Sequence, residues 1–378
     1  MKSATLPVWL SFVALLCVSC DGIVVAQQGA AYPGGQERIL SCAFNPQKVV
    51  ELKPGFKAAT YGQCPWHSIN HPCPNNPVPN PNPTLPAGRL ASIQDSIVNA
   101  VNNAPQHLRD EICTVSNIFI DNDSSAGNKN SSAWGMLDRS RTDEQNRPLK
   151  YIGIRNSMFD VPDPPYASLE TAILQKLLKP SPNPSPAWLG SISHVATPDY
   201  VTTRTMAILA HEMGHIIWWN ESIPAVKCPA INGTWFQAIT WQTPISLLHG
   251  FHSFGLGQVD QSKLNDFTEG DMVINLRNGD ITGVVSQMKE VYQFGNWINL
   301  FSFVAPDEDF IETYKFWVLT NATAAFKLQS LTLYFNEADG VTPVTAPIVS
   351  NGSFGAPNSN LEKKRAWIEQ WVARGCAP

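Results

Sequence analysis

Charge is scarce in this chain. Only 15% of its 378 residues are Asp, Glu, Lys or Arg, and the formal net charge is −5. That balance excludes a broad cationic surface for nucleic acid or anionic lipid. The one basic cluster, Lys363-Lys364-Arg365, falls in a helical pattern and reads as a solvated face. Beyond residue 26 no C-x-x-C pair offers a thiolate zinc site, and no internal repeat points to a solenoid. Beyond the N-terminus, no apolar run is long enough to span a bilayer. Histidine is rare too, with 8 in all. The hydrophobic content of 43% is that of a globular chain, with room for one large domain or two modest ones.

The N-terminus reads as a secretory signal over residues 1–26. Lys2 supplies the positive end, residues 6–18 an apolar run too short for a comfortable span, and Val24-Val25-Ala26 small residues before Gln27. A lipid anchor at Cys20 is the alternative reading of the same segment, because Val18-Ser19-Cys20 also has small residues in place. Otherwise no membrane association is expected. Six cysteines follow the signal: Cys42, Cys64, Cys73, Cys113, Cys228 and Cys376. An even number in an exported chain (extracellular or periplasmic) implies disulfides, with Cys64–Cys73 the best local pair. Six N-x-S/T sequons, at Asn122, Asn130, Asn220, Asn232, Asn321 and Asn351, are acceptors for glycosylation in a eukaryotic secretory pathway.

Residues 27–63 carry few periodic cues. Residues 64–88 are saturated with Pro and Asn and read as an extended linker to a main domain spanning 89–378. Within that domain Leu90, Ile93, Ile97, Val98 and Val101 recur at helical spacing. Segments 114–120 and 150–154 read as strands with a polar loop over 121–132 between them, and 169–178 reads as a helix. Thr197, Pro198 and Asp199 suit the start of a helix running to about Trp219. Further helices are expected over 307–319 and 361–374. These elements point to an α+β fold: a small twisted sheet beside the 200–219 helix, then a mostly helical C-terminal part.

That helix holds the informative motif, His211-Glu212-Met213-Gly214-His215. Two histidines four residues apart share a helix face, so both imidazoles can reach one metal ion. Glu212 stands where a zinc helix places the carboxylate that takes a proton from water at the metal. With so few histidines, the pentad arises by chance in about one per cent of such chains.

A catalytic zinc commonly takes three protein ligands. Glu221 occupies the third position of the extended H-E-x-x-H-x-x-G-x-x-H motif, but Trp218 stands where that motif has its glycine. His249 or His252 could ligate, or donate to a developing oxyanion. Glu308 and Glu312 lie one turn apart on one helix face. The first could bind the metal while the second orients a histidine. An acidic helix N-terminus favoured by the dipole explains the same residues without a metal.

H-E-M-G-H on a long helix, followed by Glu308-Asp309-Phe310-Ile311-Glu312, resembles the zincin peptidases with a glutamate third ligand. The similarity is to the lethal-factor-like branch and to bacterial zinc-binding metallopeptidases, and it covers at most residues 89–320. The resemblance implies a zincin-like domain in which His211, His215 and Glu308 bind Zn2+, Glu212 is the general base and Glu312 supports a ligand. It implies hydrolysis of protein or peptide substrates. The branch often has a tyrosine one to two turns before the glutamate; Phe301 and Ser302 stand there, so Tyr292, Tyr314 or a 249–252 histidine would substitute. The rival expectation is a secreted binding protein on the same scaffold, or one using its tryptophan-rich surface.

Overall fold

The computed structural model describes residues 42–52, 85–121, 133–160, 191–195, 200–221, 306–337 and 341–374, with Asp339 and positions scattered between 236 and 302. The expected 169–178 helix, the 197–199 cap, His249, His252, Cys64 and Cys73 lie outside these residues, as does the signal segment.

The first sheet has the order β1-β2-β4-β3, from β1 (Val49–Glu51), β2 (Asn117–Asp121), β3 (Ala133–Thr142) and β4 (Pro148–Arg155). The first three in that order run parallel, and β3 closes the edge antiparallel to β4. Alternation along β2 assigns the faces. Ile118 and Ile120 join the main core, whereas Phe119 packs on the other side with Leu52, Met136 and Tyr151. The main core is shared with α1 (Arg89–Asn103) and α2 (Gln106–Cys113). Residues 42–52, read from the sequence as part of a separate N-terminal region, thus supply an edge strand of this sheet.

Cys42 is disulfide-bonded to Cys113 at the end of α2, a pairing that local spacing gave no reason to expect. Lys48 reinforces the joint by donating to the carbonyls of Cys113 and Val115, both at 2.8 Å. A loop this long makes the bridge worth about 4 kcal/mol in the chain-entropy account.

The C-terminal part corrects the expectation of a mostly helical region. Between α4 (Pro306–Thr320) and α5 (Asn360–Arg374) run β6 (Ser330–Asn336), β7 (Pro343–Ser350) and β8 (Ser353–Phe354). With β5 (Ser191–Val195) they form a second sheet, antiparallel throughout, in the order β5-β6-β7-β8. The prolines of β7 argue against an internal strand, yet each sits where one is tolerated. Pro343 is the first residue, and Pro347 borders the register shift opposite Leu331 and Thr332. Asn351 (φ 50°) and Gly352 (φ 85°) make the two-residue turn into β8.

The basic cluster is also corrected. Lys363 is exposed, but Lys364 is fully buried against the aromatic core joining α4 and α5. Trp297, Trp317, Trp367 and Trp371 belong to that core, so these four present no aromatic surface. Among the described residues, no helix is long and apolar enough to cross a membrane.

Candidate metal centre

The motif lies on α3 (Tyr200–Glu221), which is buried on nearly every side between the first sheet, α1 and α4. Residues such as Met206, Leu209, Ala210, Met213, Ile216 and Ile217 make it apolar around its circumference, as a central helix must be. Two glycines set how closely its neighbours approach. A Cβ on Gly214 would lie 3.2–3.3 Å from Ile311, so the glycine inside the pentad lets α4 press against the histidine helix. A Cβ on Gly135 of β3 would lie 2.3 Å from the Glu212 carbonyl oxygen. There the sheet edge meets the helix backbone to backbone.

These contacts bring α4's acidic first turn to the histidines. His211 Nε2 and His215 Nε2 are 3.2 Å apart. Glu308 Oε1 is 3.6 Å from His215 Nε2, and Glu308 Oε2 is 3.9 Å from His211 Nε2. One ligand atom from each residue can be chosen so that all three lie within 4.8 Å of one another, and the group could hold a metal ion. The three side chains keep 15–19% of their surface exposed, whereas Glu312 behind them keeps 2%. The cluster is reachable; its support is sealed.

Glu312 Oε1 takes a hydrogen bond from His211 Nδ1 at 2.6 Å. Its other oxygen accepts from Lys315 Nζ and from Asn299 Nδ2. Asn299 is fixed in turn by Ser302, whose N–H donates to Asn299 Oδ1 at 2.8 Å and whose hydroxyl donates to the Asn299 carbonyl at 2.6 Å. With Nδ1 donating to Glu312, the neutral form of His211, which a metal requires, would present a bare Nε2 toward His215 and Glu308.

Electrostatics follow from this packing. Burial raises the Glu212 carboxyl to about 7 against the opposing pull of His211 and of the Gly135 N–H bonded to it. Burial disfavours the charged His211, but the hydrogen bond and charge of Glu312, with Glu212 and Glu308, outweigh it and raise the pKa to about 9. Burial would also raise Glu312; Lys315 and His211 prevail and hold it far below the ordinary carboxylate range.

No protein-family model, curated protein or solved structure matches this chain. The site therefore has to be read from its own atoms.

Of the residues singled out in the sequence, the fold gathers His211, Glu212, His215, Glu308 and Glu312. Glu221 ends α3, about 9 Å along the helix axis from His215. Of the proposed tyrosine substitutes, Tyr314 is engaged elsewhere. Tyr314 is buried with its hydroxyl 3.0 Å from His107 Nδ1, stacked between Phe310 and Trp317, and Tyr292 is buried in the core. Ser302 serves Asn299. Sequence reasoning missed Lys315, although its i+3 spacing from Glu312 was a usable signal. Gly135 and Asn299 gave no such signal, because a fold contact alone brings each to its partner.

Proposed function

We propose that this chain is an exported, zinc-dependent peptidase with a zincin-like fold, in which His211, His215 and Glu308 are the zinc ligands and Glu212 the general base. The carrying observation is the spacing of the three ligand groups. Atoms bound to zinc at about 2.0–2.1 Å in a tetrahedral array stand about 3.3 Å apart. The two imidazole nitrogens, 3.2 Å apart, match that edge, and Glu308 turns one oxygen toward each of them, Oε1 3.6 Å from His215 and Oε2 3.9 Å from His211. Two imidazoles and a carboxylate also suit zinc chemically. Zinc supplies a Lewis acid that lowers the pKa of coordinated water toward 7 and polarises the scissile carbonyl.

The protein's own groups do the rest. Glu312 holds the His211 ring in the ligating tautomer. Glu212, anchored by the Gly135 N–H, accepts the proton of the attacking water and returns it to the departing amine. The Cys42–Cys113 disulfide supports the export reading, since such bridges persist in oxidising compartments. Zinc content and casein hydrolysis, each measured with and without chelator, test the proposal. Bound zinc with chelator-sensitive cleavage is expected. Zinc bound without turnover would favour a binding protein on the same scaffold, and no zinc at all would end the reading.

A further inference from the structure

Lys364 lies far from the motif in sequence, yet its ammonium sits at a junction. Its side chain and that of Asp309 are both 0% exposed, with Nζ 2.7 Å from Asp309 Oδ2. Nζ also donates to Asp309 Oδ1 at 2.8 Å and to the Asn296 carbonyl at 2.7 Å. The ring centroids of Trp297 and Phe236 lie 5.3 and 6.0 Å away, and Thr240 adds a hydrogen bond to Asp309. Such a pair is costly to bury, and apolar residues of like volume are often at least as stable. What it supplies is direction. An ammonium bonded to both a carboxylate and a backbone carbonyl holds two segments in one relative position.

Both segments lead to the metal centre. Asp309 follows Glu308 in α4, and successive helical residues point about 100° apart, so holding one sets where the other points. Asn296 belongs to the turn carrying Asn299, which donates to Glu312 and through it steadies His211. The first turn of α5 grips the same segment: Leu361 N–H donates to the Gly295 carbonyl at 2.8 Å, and Asn360 Nδ2 to Asn296 Oδ1 at 2.9 Å.

We propose that Lys364 is a positioning residue of the metal centre, locking the presentation of Glu308 through Asp309 and that of His211 through Asn296, Asn299 and Glu312. The C-terminal helix is thereby part of the site. The inference rests on the zinc reading above.

The test is the neutral double variant Asp309→Asn/Lys364→Met in the full chain. Three readouts are needed: melting temperature without metal, zinc affinity by chelator competition, and the visible spectrum of the cobalt-substituted protein. A wild-type chain that binds no zinc would refute the underlying reading before any variant is made. With zinc bound, the double variant should melt near or above the wild type, lose about tenfold or more in zinc affinity and show an altered cobalt band. Wild-type affinity and spectrum would overturn the proposal, whatever the melting temperature. Should the double variant not fold, Asn360→Ala removes a part-buried contact on the same turn; it should fold and lose zinc affinity severalfold, and unchanged affinity would overturn the link through Asn296.

Discussion

Glu308 and Asp309 are neighbours in the first turn of α4, yet they meet opposite surroundings. Glu308 keeps 15% of its side chain exposed and faces two imidazole nitrogens across 3.6 and 3.9 Å. Asp309 is sealed and closes on Lys364 at 2.7 Å. The first separations exceed direct hydrogen-bond length and suit an ion between the groups; the second is a finished bond. On the histidine side, Glu212, Glu308 and Glu312 meet two imidazoles and the Lys315 ammonium. On the other side, one carboxylate meets one ammonium. One helix turn thus divides a partly exposed group of separated ligand atoms from a sealed ion pair, and the open separations mark the side on which a cation would be held.

The widest gap between the two sides should come from Glu212→Gln. The change preserves size and removes only the basic carboxylate, so zinc stays bound while hydrolysis falls about 10²–10⁴-fold. Peptide turnover and metal content measured on the same sample check this. Near-wild-type turnover would remove Glu212 from the chemistry and leave the histidine side without a base.

On the Asp309 side the expected effect is on stability. Lys364→Met leaves a buried carboxylate without its ammonium and should cost about 3–5 kcal/mol, read by denaturant unfolding. A pH signature accompanies it. Burial lowers the Lys364 ammonium from 10.5 to about 8, Asp309 only partly opposing. Between those values the folded chain binds fewer protons than the unfolded one, so this residue makes stability rise with pH through that window. Asp309→Asn/Lys364→Met should lack that rise. An identical pH dependence in both proteins would mean that Lys364 does not titrate as its burial implies.

The two glutamates of α4 should then separate. If Glu308 is a ligand, Glu308→Ala should abolish tight zinc binding. Glu312→Ala should weaken it by about 10–100-fold, because His211 remains but its ring and tautomer are no longer held. Zinc titration of both variants decides the order. Greater damage at Glu312 would reverse the assignment.

How far the sequence reached follows from what kind of contact each residue makes. His211, Glu212 and His215 were legible because helical spacing alone puts the histidines on one face. Glu308 and Glu312 were legible as a one-turn pair, but only the packing of α4 on α3 shows that they meet the histidines. Helices α4 and α5 were anticipated to within a residue or so at each end. The second sheet was not, because Pro343 and Pro347 mask a strand whose bulge is a tertiary feature, although Asn351-Gly352 was a hairpin signal in plain view. Lys364 was misread for a related reason. A basic triplet looks solvated until the fold supplies Asp309 and the Asn296 carbonyl.

The smallest expected effect tests the approach that makes the histidine side possible. A Cβ on Gly214 would stand 3.2 Å from Ile311 Cγ2 and 3.3 Å from its Cα, so α4 would have to yield by a few tenths of an ångström. Overpacking of this kind costs about 1–3 kcal/mol. Alanine recovers roughly 1 kcal/mol of helix propensity over glycine. Gly214→Ala should therefore lower stability by about 1 kcal/mol, the difference between the two. Its effect on zinc should be larger in proportion, because the displaced segment carries Glu308 one turn before Ile311. Thermal melts without metal, paired with zinc titration, separate the two effects. A more stable variant with undiminished zinc affinity would show that α4 yields freely, and that the glycine inside the pentad does not set the distance between Glu308 and the histidines.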